Sequence, residues 1–563
     1  MLDAKRHQRG LIVTLMDLKN AFGEIDHGLI RTALSYHHHL PAVFTNIFDN
    51  IYSGASISAS VNNTWTPHLS VNRGVLQGDP WSPMLFNLCV NTLMRTLEKE
   101  NLKHLGYIHG PASSQRNCSW LQFADDAVVV SSNTKDSQLL VNIFNAWCNW
   151  SKMSININKC CTFGMIKKSG EYIQIEPGQY VNSEKIPAVQ MGGNFTYLGK
   201  IFDFDLKNIP AKNQISSKLQ SLLDITSGLQ IKPQLKLKIL KLYVHSQMNF
   251  ELKLYNFGST WLTQNLDALQ TNCIRSWLDL PISSCVQEMA ILSKHQCGLG
   301  VQSFKNIADK LWLHKRNSMK NSSHLAIKQI WSESSEKFIR TDSQLIEPNS
   351  SIGSASRKLV SSQIQQAEDH LFGLEIQGVA AKTVKENIPA PNILFWTTAL
   401  ESFPSFLFQF ARKAILQQLP TAANLNRWKR TSNPFCDLCT GAKPQTNKHV
   451  LSNCSNPSML ECYTIRHNEV LKSLASWIEE NKSPAQKLFV DIDGMEPINN
   501  VFQDTVRPDL VMTSLREDVL ALELTVCHET NLLKSKMYKM SKYNNISNCL
   551  LARWRGTLVK LYI

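Results

Sequence analysis

The sequence predicts a multidomain α+β protein, and three observations carry that expectation. Its 563 residues are 43% hydrophobic, enough to bury more than one core, so two to four domains are expected. Runs rich in β-branched and aromatic residues lie at Leu11 to Met16, Trp120 to Ala124 and Ala127 to Val130, with an amphipathic helical stretch between them. After about residue 208 helical periodicity takes over, until a Cys/His cluster at 436–454 and a last mixed stretch. The expected divisions are 1–205, 206–300, 301–430, 431–460 and 461–563.

Charge narrows the partners. The chain carries a formal net charge of +14, with a pI near 9.1, and its basic residues are spread along its length rather than held in one arm. A polyanion is the expected partner. No apolar run approaches the roughly eighteen residues of a spanning helix, and no membrane partner is expected. The start shows no charged, apolar and small-residue series of a secretory signal, so an intracellular protein is expected. Its fourteen cysteines then read as reduced thiols, with a metal site as the first alternative.

The first element is the buried strand "LIVTLM", which ends in Asp17. A charge there is either a helix cap or a ligand. Next comes the polar, backbone-exposed turn Gln77-Gly78-Asp79-Pro80, suited to a nucleotide or template strand or simply to a strand-to-helix connection. Ser82 is expected to cap the helix after it, with Pro83 at its first position and Leu85, Leu88, Cys89, Leu93 and Leu97 on its core face. "LQFADDAVVV" then reads as two strands joined at Asp125 and Asp126 by a tight hairpin. Adjacent carboxylates repel, and one takes up a proton unless a divalent cation neutralises them. A solvated acidic turn is the plain alternative.

Farther along, "KPQLKLKILKLYVHSQ" sets Leu235, Ile239 and Leu242 against Lys236, Lys238 and Lys241, an amphipathic helix. The Ser-rich stretch from Glu347 to Lys358 reads as a linker or exposed loop. Cys436, Cys439, His449 and Cys454 follow a Cys-x2-Cys-x9-His-x4-Cys pattern, and four soft or imidazole ligands so spaced suit a closed tetrahedral Zn²⁺ site. Arg427, Lys429 and Arg430 precede it and are free to meet nucleic acid. Near the end Asp509 stands before a strand, Glu523 sits among apolar strand neighbours, and Lys539, Lys542 and Tyr543 follow on a helix.

In this order the motifs resemble reverse transcriptases of non-LTR retrotransposons, within the Pol polyproteins of type-1 retrotransposable elements that carry a restriction-like endonuclease. The motifs are Asp17 with Phe22, "QGDPWSP", "FADD", "NINKC" with Lys159, and "FTYLGKIF". The resemblance implies a right-hand polymerase palm with incomplete fingers, a helical thumb, a CCHC zinc knuckle and an α/β restriction-like endonuclease domain. Its implied activity is RNA-directed DNA polymerisation by two-metal nucleotidyl transfer, coupled to DNA nicking. The implied cofactors are Mg²⁺ (or Mn²⁺) and Zn²⁺; the implied partners are an RNA template, a DNA primer, target DNA and dNTPs; the implied location is nuclear.

By the same resemblance Asp17 and Asp125 would bridge the two metal ions and Asp126 would support them, all hard oxygen ligands. Lys159 would act on pyrophosphate, and the Phe22 ring would meet the ribose and favour dNTPs, although a packed core Phe explains it equally well. Gln77, Gly78, Asp79 and Pro80 would contact template and nucleotide, and the thumb lysines would grip phosphates. Asp509, Glu523, Lys539, Lys542 and Tyr543 would form the nuclease site, with Glu529 a further acidic ligand.

Three departures accompany the resemblance. Only sixteen residues precede Asp17, so most of the fingers are expected to be missing; Gly23 stands where relatives usually carry Asp; and Thr525 occupies the usual nuclease lysine position. The C-terminal sequence also differs from the family's, so a shortened nuclease is expected. The rival expectation is an inactive or co-opted remnant that binds RNA or DNA.

Overall fold

The computed structural model describes all residues except 100, 101, 103, 113–114, 335–351, 440–442, 504–506, 515–517, 552–558 and 563. The chain divides into two compact units, Met1–Ile215 and Ser216–Ile563. Among the described residues no helix is long and apolar enough to cross a membrane.

The first unit is built on one five-stranded antiparallel sheet. Its strands are β1 (Leu11–Met16), β2 (Trp120–Phe123), β3 (Asp126–Ser131), β4 (Cys161–Lys168) and β5 (Glu171–Ile175), in the order β5-β4-β1-β3-β2. The alternation along β1 sends residues to opposite faces, and both faces are covered. One face carries Met16, Ala127 and Val129 against two helices, α1 (Ser82–Leu97) and α2 (Thr134–Ser151). The other carries Leu11, Val13, Val128 and Val130 against Phe163 and Phe195. Between neighbouring strands the Thr14 and Thr162 hydroxyls lie 3.1 Å apart, buried, so the central polar pair satisfies itself. A separate hairpin, β6 (Asn194–Tyr197) with β7 (Lys200–Asp203), turns through Leu198 and Gly199, both with positive φ.

Two local expectations are corrected here. Ser82 lies inside α1 rather than capping it; its hydroxyl donates to Leu76 O at 2.7 Å, while Asp79 closes the helix start by accepting from the Trp81 N–H at 3.1 Å. The hairpin turns at Ala124 and Asp125, because Ala124 adopts φ 51° and Asp126 already pairs with Phe123. Leu85, Cys89, Leu93 and Leu97 are buried on α1, joined by Phe86 and Val90, whereas Leu88 is half-buried.

The second unit is largely helical until its last hundred residues. Helix α3 (Pro233–Ile239) runs into a wider π-type turn over Leu240–Val244. The buried stripe is Leu237, Leu240, Val244 and Met248, whereas Leu235 and Leu242 are exposed, the reverse of the expected face. Leu237, Leu240, Val244 and Met248 follow the same three-and-four spacing as Leu235, Ile239 and Leu242, so the helical period fits either stripe. The lysines do not form one solvated row either: Lys236 Nζ donates to Ser227 O at 2.6 Å and Lys241 Nζ to Leu299 O at 2.7 Å.

Residues 352–358 of the Ser-rich stretch begin a helix, Ile352–Phe372, rather than a loop; positions 347–351 lie outside the described residues. Farther on come α4 (Ser405–Ile415) and α5 (Pro457–Asn481). A four-stranded sheet follows, β8 (Lys487–Val490), β9 (Leu510–Thr513), β10 (Val519–Leu522) and β11 (Val559–Tyr562), with α6 (Leu532–Lys542) between the last two strands. Strands β8 to β10 are antiparallel neighbours and β11 joins β10 in parallel. Leu471 and Ala475 of α5 pack on Val490 and Leu510.

Candidate active site and metal centre

Strand register brings the first carboxylates together. Met16 pairs with Ala127, so Asp17 and Asp126 lie opposite each other one step farther along, beyond the last paired rung. Asp125 occupies the adjoining turn. Burial raises the Asp126 carboxyl above its ordinary value, and the charges of Asp125 and Asp17 raise it further. Among the described residues no lysine, arginine or histidine forms an ion pair with these three side chains. A cluster of hard anionic oxygens with no cation of its own suits divalent metal ions.

The surroundings hold Asp17 by its backbone, leaving the carboxylate clear. Its N–H donates to Cys160 Sγ at 3.3 Å and its carbonyl accepts from the Asn156 N–H at 2.8 Å. Lys159, exposed, is the residue before Cys160. Gln122 braces the hairpin, accepting from Trp120 Nε1 at 2.7 Å and donating to Ala124 O. Tyr197 of β6 was not singled out from sequence; burial raises its hydroxyl and the Asp126 charge raises it further.

Phe22 is half-buried and stacks on Phe86, with centroids 4.6 Å apart, so packing alone accounts for an aromatic there. Gln77, Gly78 and Pro80 are exposed and Asp79 is half-exposed; Gly78 adopts φ 93°, where a side chain would be strained. Gly23 is met closely from behind by Gly74, where a Cβ would stand 2.5 Å from Gly23 O.

The second cluster lies before and within the turn into α5. The ligand atoms of Cys436, Cys439, His449 and Cys454 all fall within 4.8 Å of one another. Cys436 Sγ is 4.0 Å from Cys454 Sγ, and Cys439 Sγ is 3.5 Å from His449 Nε2. A tetrahedral zinc with Zn–S bonds of ~2.3 Å requires edges of ~3.8 Å, so the four residues fit that ion. Burial pushes the Cys436 thiol up, but the Leu438 and Cys439 N–H groups and the His449 side chain outweigh it and bring the thiol down to about 6. Tyr463, also missed from sequence, secures the downstream ligands: its hydroxyl accepts from the Cys454 N–H at 3.1 Å and approaches Val450 O at 2.9 Å.

The third cluster repeats the logic of the first. Leu510 pairs with Leu522, which sets Asp509 and Glu523 opposite each other one step past the last rung; Glu523 thus lies just beyond its strand rather than within it. Lys539 Nζ of α6 lies 2.8 Å from Glu523 Oε1 and 3.7 Å from Asp509 Oδ2. Burial pushes the Tyr543 hydroxyl up, and the Glu523 charge adds to it. That hydroxyl donates to Arg507 O at 2.8 Å, and Lys542 Nζ donates to it at 2.9 Å. His467 of α5, not anticipated, reaches Asp509 Oδ2 at 3.4 Å. His467, Thr525 and Lys539 line a cavity of about 610 Å³. Glu529 is engaged elsewhere: it accepts from Gln417 Nε2 at 2.7 Å and lies 3.3 Å from His528 Nε2.

A five-stranded antiparallel sheet backed by two helices, with three carboxylates gathered at the ends of its central strands, is a polymerase palm. Residues 2–201 match the family described as reverse transcriptase (RNA-dependent DNA polymerase). That segment is a reverse transcriptase domain of the non-LTR retrotransposon kind.

The chain is 25% identical over 481 residues to the Pol polyprotein of the type-2 retrotransposable element R2DM of Drosophila melanogaster, spanning 84% of this chain and 43% of that protein. It is 22% identical over 487 residues to the Pol polyprotein of the type-1 element R2 of Nasonia vitripennis, spanning 85% and 44%. The chain thus covers less than half the length of these curated relatives. A telomerase structure from Candida albicans, 12% identical, aligns over 60% of this chain and 51% of its own at a TM-score of 0.25, too slight a likeness to build on.

Proposed function

We propose that this chain is an RNA-directed DNA polymerase of a non-LTR retrotransposon, acting by two-metal nucleotidyl transfer on an RNA template and coupled to DNA nicking by its C-terminal part. The observation that carries the reading is the meeting of Asp17 with Asp125 and Asp126 with no ion-pairing cation among the described residues. Asp17 and Asp125 would hold the pair of Mg²⁺ or Mn²⁺ ions, with Asp126 supporting them. Bound there, the metals supply activation of a primer hydroxyl and neutralisation of a triphosphate. Exposed Lys159 would meet the departing pyrophosphate, and the exposed turn from Gln77 to Pro80 would contact template and dNTP.

The division of labour follows the clusters: a palm over 1–205, a thumb over 206–300, a helical connection over 301–430, a zinc knuckle over 431–460 and a restriction-like nuclease over 461–563. In the nuclease Asp509 and Glu523 would hold a metal, while Lys539 offsets charge on a target-DNA phosphate. Cys436, Cys439, His449 and Cys454 would hold Zn²⁺ and fix the chain between the two. Such an enzyme works on chromosomal DNA, hence in the nucleus.

The test is extension of a DNA primer on an RNA template with Mg²⁺ or Mn²⁺, beside Asp125→Asn, after both proteins are shown to bind the hybrid. Loss of a metal ligand removes several kcal/mol of charge stabilisation, so extension should fall by about 10²-fold or more. Binding without extension by the unaltered protein would overturn the reading and leave a nucleic-acid-binding remnant.

A further inference from the structure

The second unit holds a basic cavity that none of the assigned clusters uses. It encloses about 430 Å³ beside α3 and α4, a size proper to a small-molecule site. Lys238, Lys241, Lys294 and Arg412 line it, and Glu401 is the single carboxylate among its walls. Four cations against one anion leave three charges unbalanced, and that anion is already bonded to Lys294 at 2.7 Å.

Arg412 is the decisive member. It is 2% exposed, its Nη1 donates to Cys297 O at 2.9 Å, and its buried Nε has no partner among the described residues. A buried guanidinium with an unmet donor is costly unless an anion supplies the missing acceptor. Its planar fork matches the oxygens of a phosphate, while lysines add point charges around it. Burial lowers Lys241, and Lys294 and Arg412 lower it further against the opposing pull of Glu401, so these cations crowd one another.

Apart from the amide of Gln234, the remaining walls are apolar side chains and backbone. Leu235 and Leu242, 47% and 67% exposed, and Phe408 border the same space, although leucines in this helix otherwise pack inward. An inorganic phosphate would leave these surfaces idle; a base and ribose would cover them.

We infer that this cavity binds a nucleoside phosphate, with Arg412, Lys241 and Lys238 on the phosphate and the exposed Leu235 and Leu242 against the nucleoside, while the buried Phe408 ring backs the Arg412 guanidinium. The ligand is either a free mononucleotide or one nucleotide of a single strand.

The experiment is acylation footprinting of the whole chain with acetic anhydride, read by peptide mass spectrometry. The probes are AMP, adenosine, and a short 5′-phosphorylated oligoadenylate. AMP should slow acylation of Lys238 and Lys241 relative to exposed Lys472 by 1 + [L]/Kd, about tenfold at ten times Kd. Adenosine should leave them unchanged. Protection by the oligonucleotide and not by AMP would assign the site to a strand and equally support the pocket. In Lys241→Gln the protection of Lys238 should be lost. Absence of protection by both phosphorylated probes, equal protection by adenosine, or full protection of Lys238 in the variant would each overturn the assignment. None of these readouts depends on polymerisation.

Discussion

Asp509 and Glu523 stand opposite each other one rung beyond the last paired residues of their strands, and Lys539 Nζ closes the gap at 2.8 Å from Glu523. Asp17 and Asp126 bear the same relation to β1 and β3. Like charges directly opposed disfavour strand pairing, so each ladder ends where its acids begin. The opened strand ends then present carboxylates to an incoming cation. In the palm no cation among the described residues forms an ion pair with them; in the second sheet Lys539 does.

That difference predicts the outcome of Lys539→Ala. Glu523 is only 4% exposed and would lose its ion-pair partner, so the second sheet should be weakened by about 1–3 kcal/mol. Nicking of supercoiled plasmid should fall by about 10²–10³-fold, the effect of losing one charge-stabilising donor. Primer extension by the same preparation should persist. Nicking at an undiminished rate would remove Lys539 from the chemistry.

Asp126 leads to a prediction about stability without metal and with it. Its carboxyl is raised by burial and by Asp125 and Asp17, so the folded state binds the proton more tightly than the unfolded state. Stability from this group is full below the unfolded pKa and declines as pH rises through the raised folded value. Asp126→Asn should therefore raise the melting temperature of metal-free protein at pH 7 and flatten its pH dependence between the two values. Added Mg²⁺ should stabilise the unaltered protein more than the variant, as read by thermal unfolding. A melting temperature lowered by Asp126→Asn at pH 7 would contradict the crowding of charge.

For the Cys/His cluster, Cys439→Ser should release zinc from dialysed protein, measured by elemental analysis. Tyr463→Phe should keep the metal but lose about 1 kcal/mol, since the hydroxyl bonds the backbone of the ligand segment and touches no ligand side chain. Equal zinc content in Cys439→Ser and the unaltered protein would exclude the site.

Phe22 separates packing from selectivity. Phe22→Ala deletes a ring stacked on Phe86 and should cost about 1–3 kcal/mol by urea unfolding, less than a fully buried Phe because the ring is half-exposed. Phe22→Leu retains much of that packing, so a loss of dNTP preference over NTP in this variant would assign the ring to the ribose; an unchanged ratio leaves it a packing residue.

The motifs of both sheets were legible from sequence because chemistry and local structure coincide there. An acid at the end of an apolar run marks a strand end, and a hairpin of apolar strands admits few alternatives to a turn at its charges. The Cys436 to Cys454 spacing was legible because a short loop can bring four ligands together without help from distant chain. By contrast, Leu235 and Leu242 were assigned to the wrong side, since two apolar stripes with the same helical spacing run along this segment and the period does not choose between them. Glu529 carried the right chemistry but is bonded to Gln417, 112 residues away. Tyr197, His467 and Tyr463 escaped notice because a single aromatic or imidazole has no spacing to announce it.

The sequence by itself determined the strand-and-hairpin placement of Asp17, Asp125 and Asp126, the ligand spacing of the Cys/His cluster and the order of the motifs. All three depend on residue type and short separations along the chain. Only the tertiary structure decided which acids face one another, that Lys539 answers Glu523, and that the buried Arg412 lines one cavity with Lys241 and Lys294. Those relations join residues from tens to well over a hundred positions apart, through strand register and helix phase, and a shift of one residue in either would send the same side chains to another face.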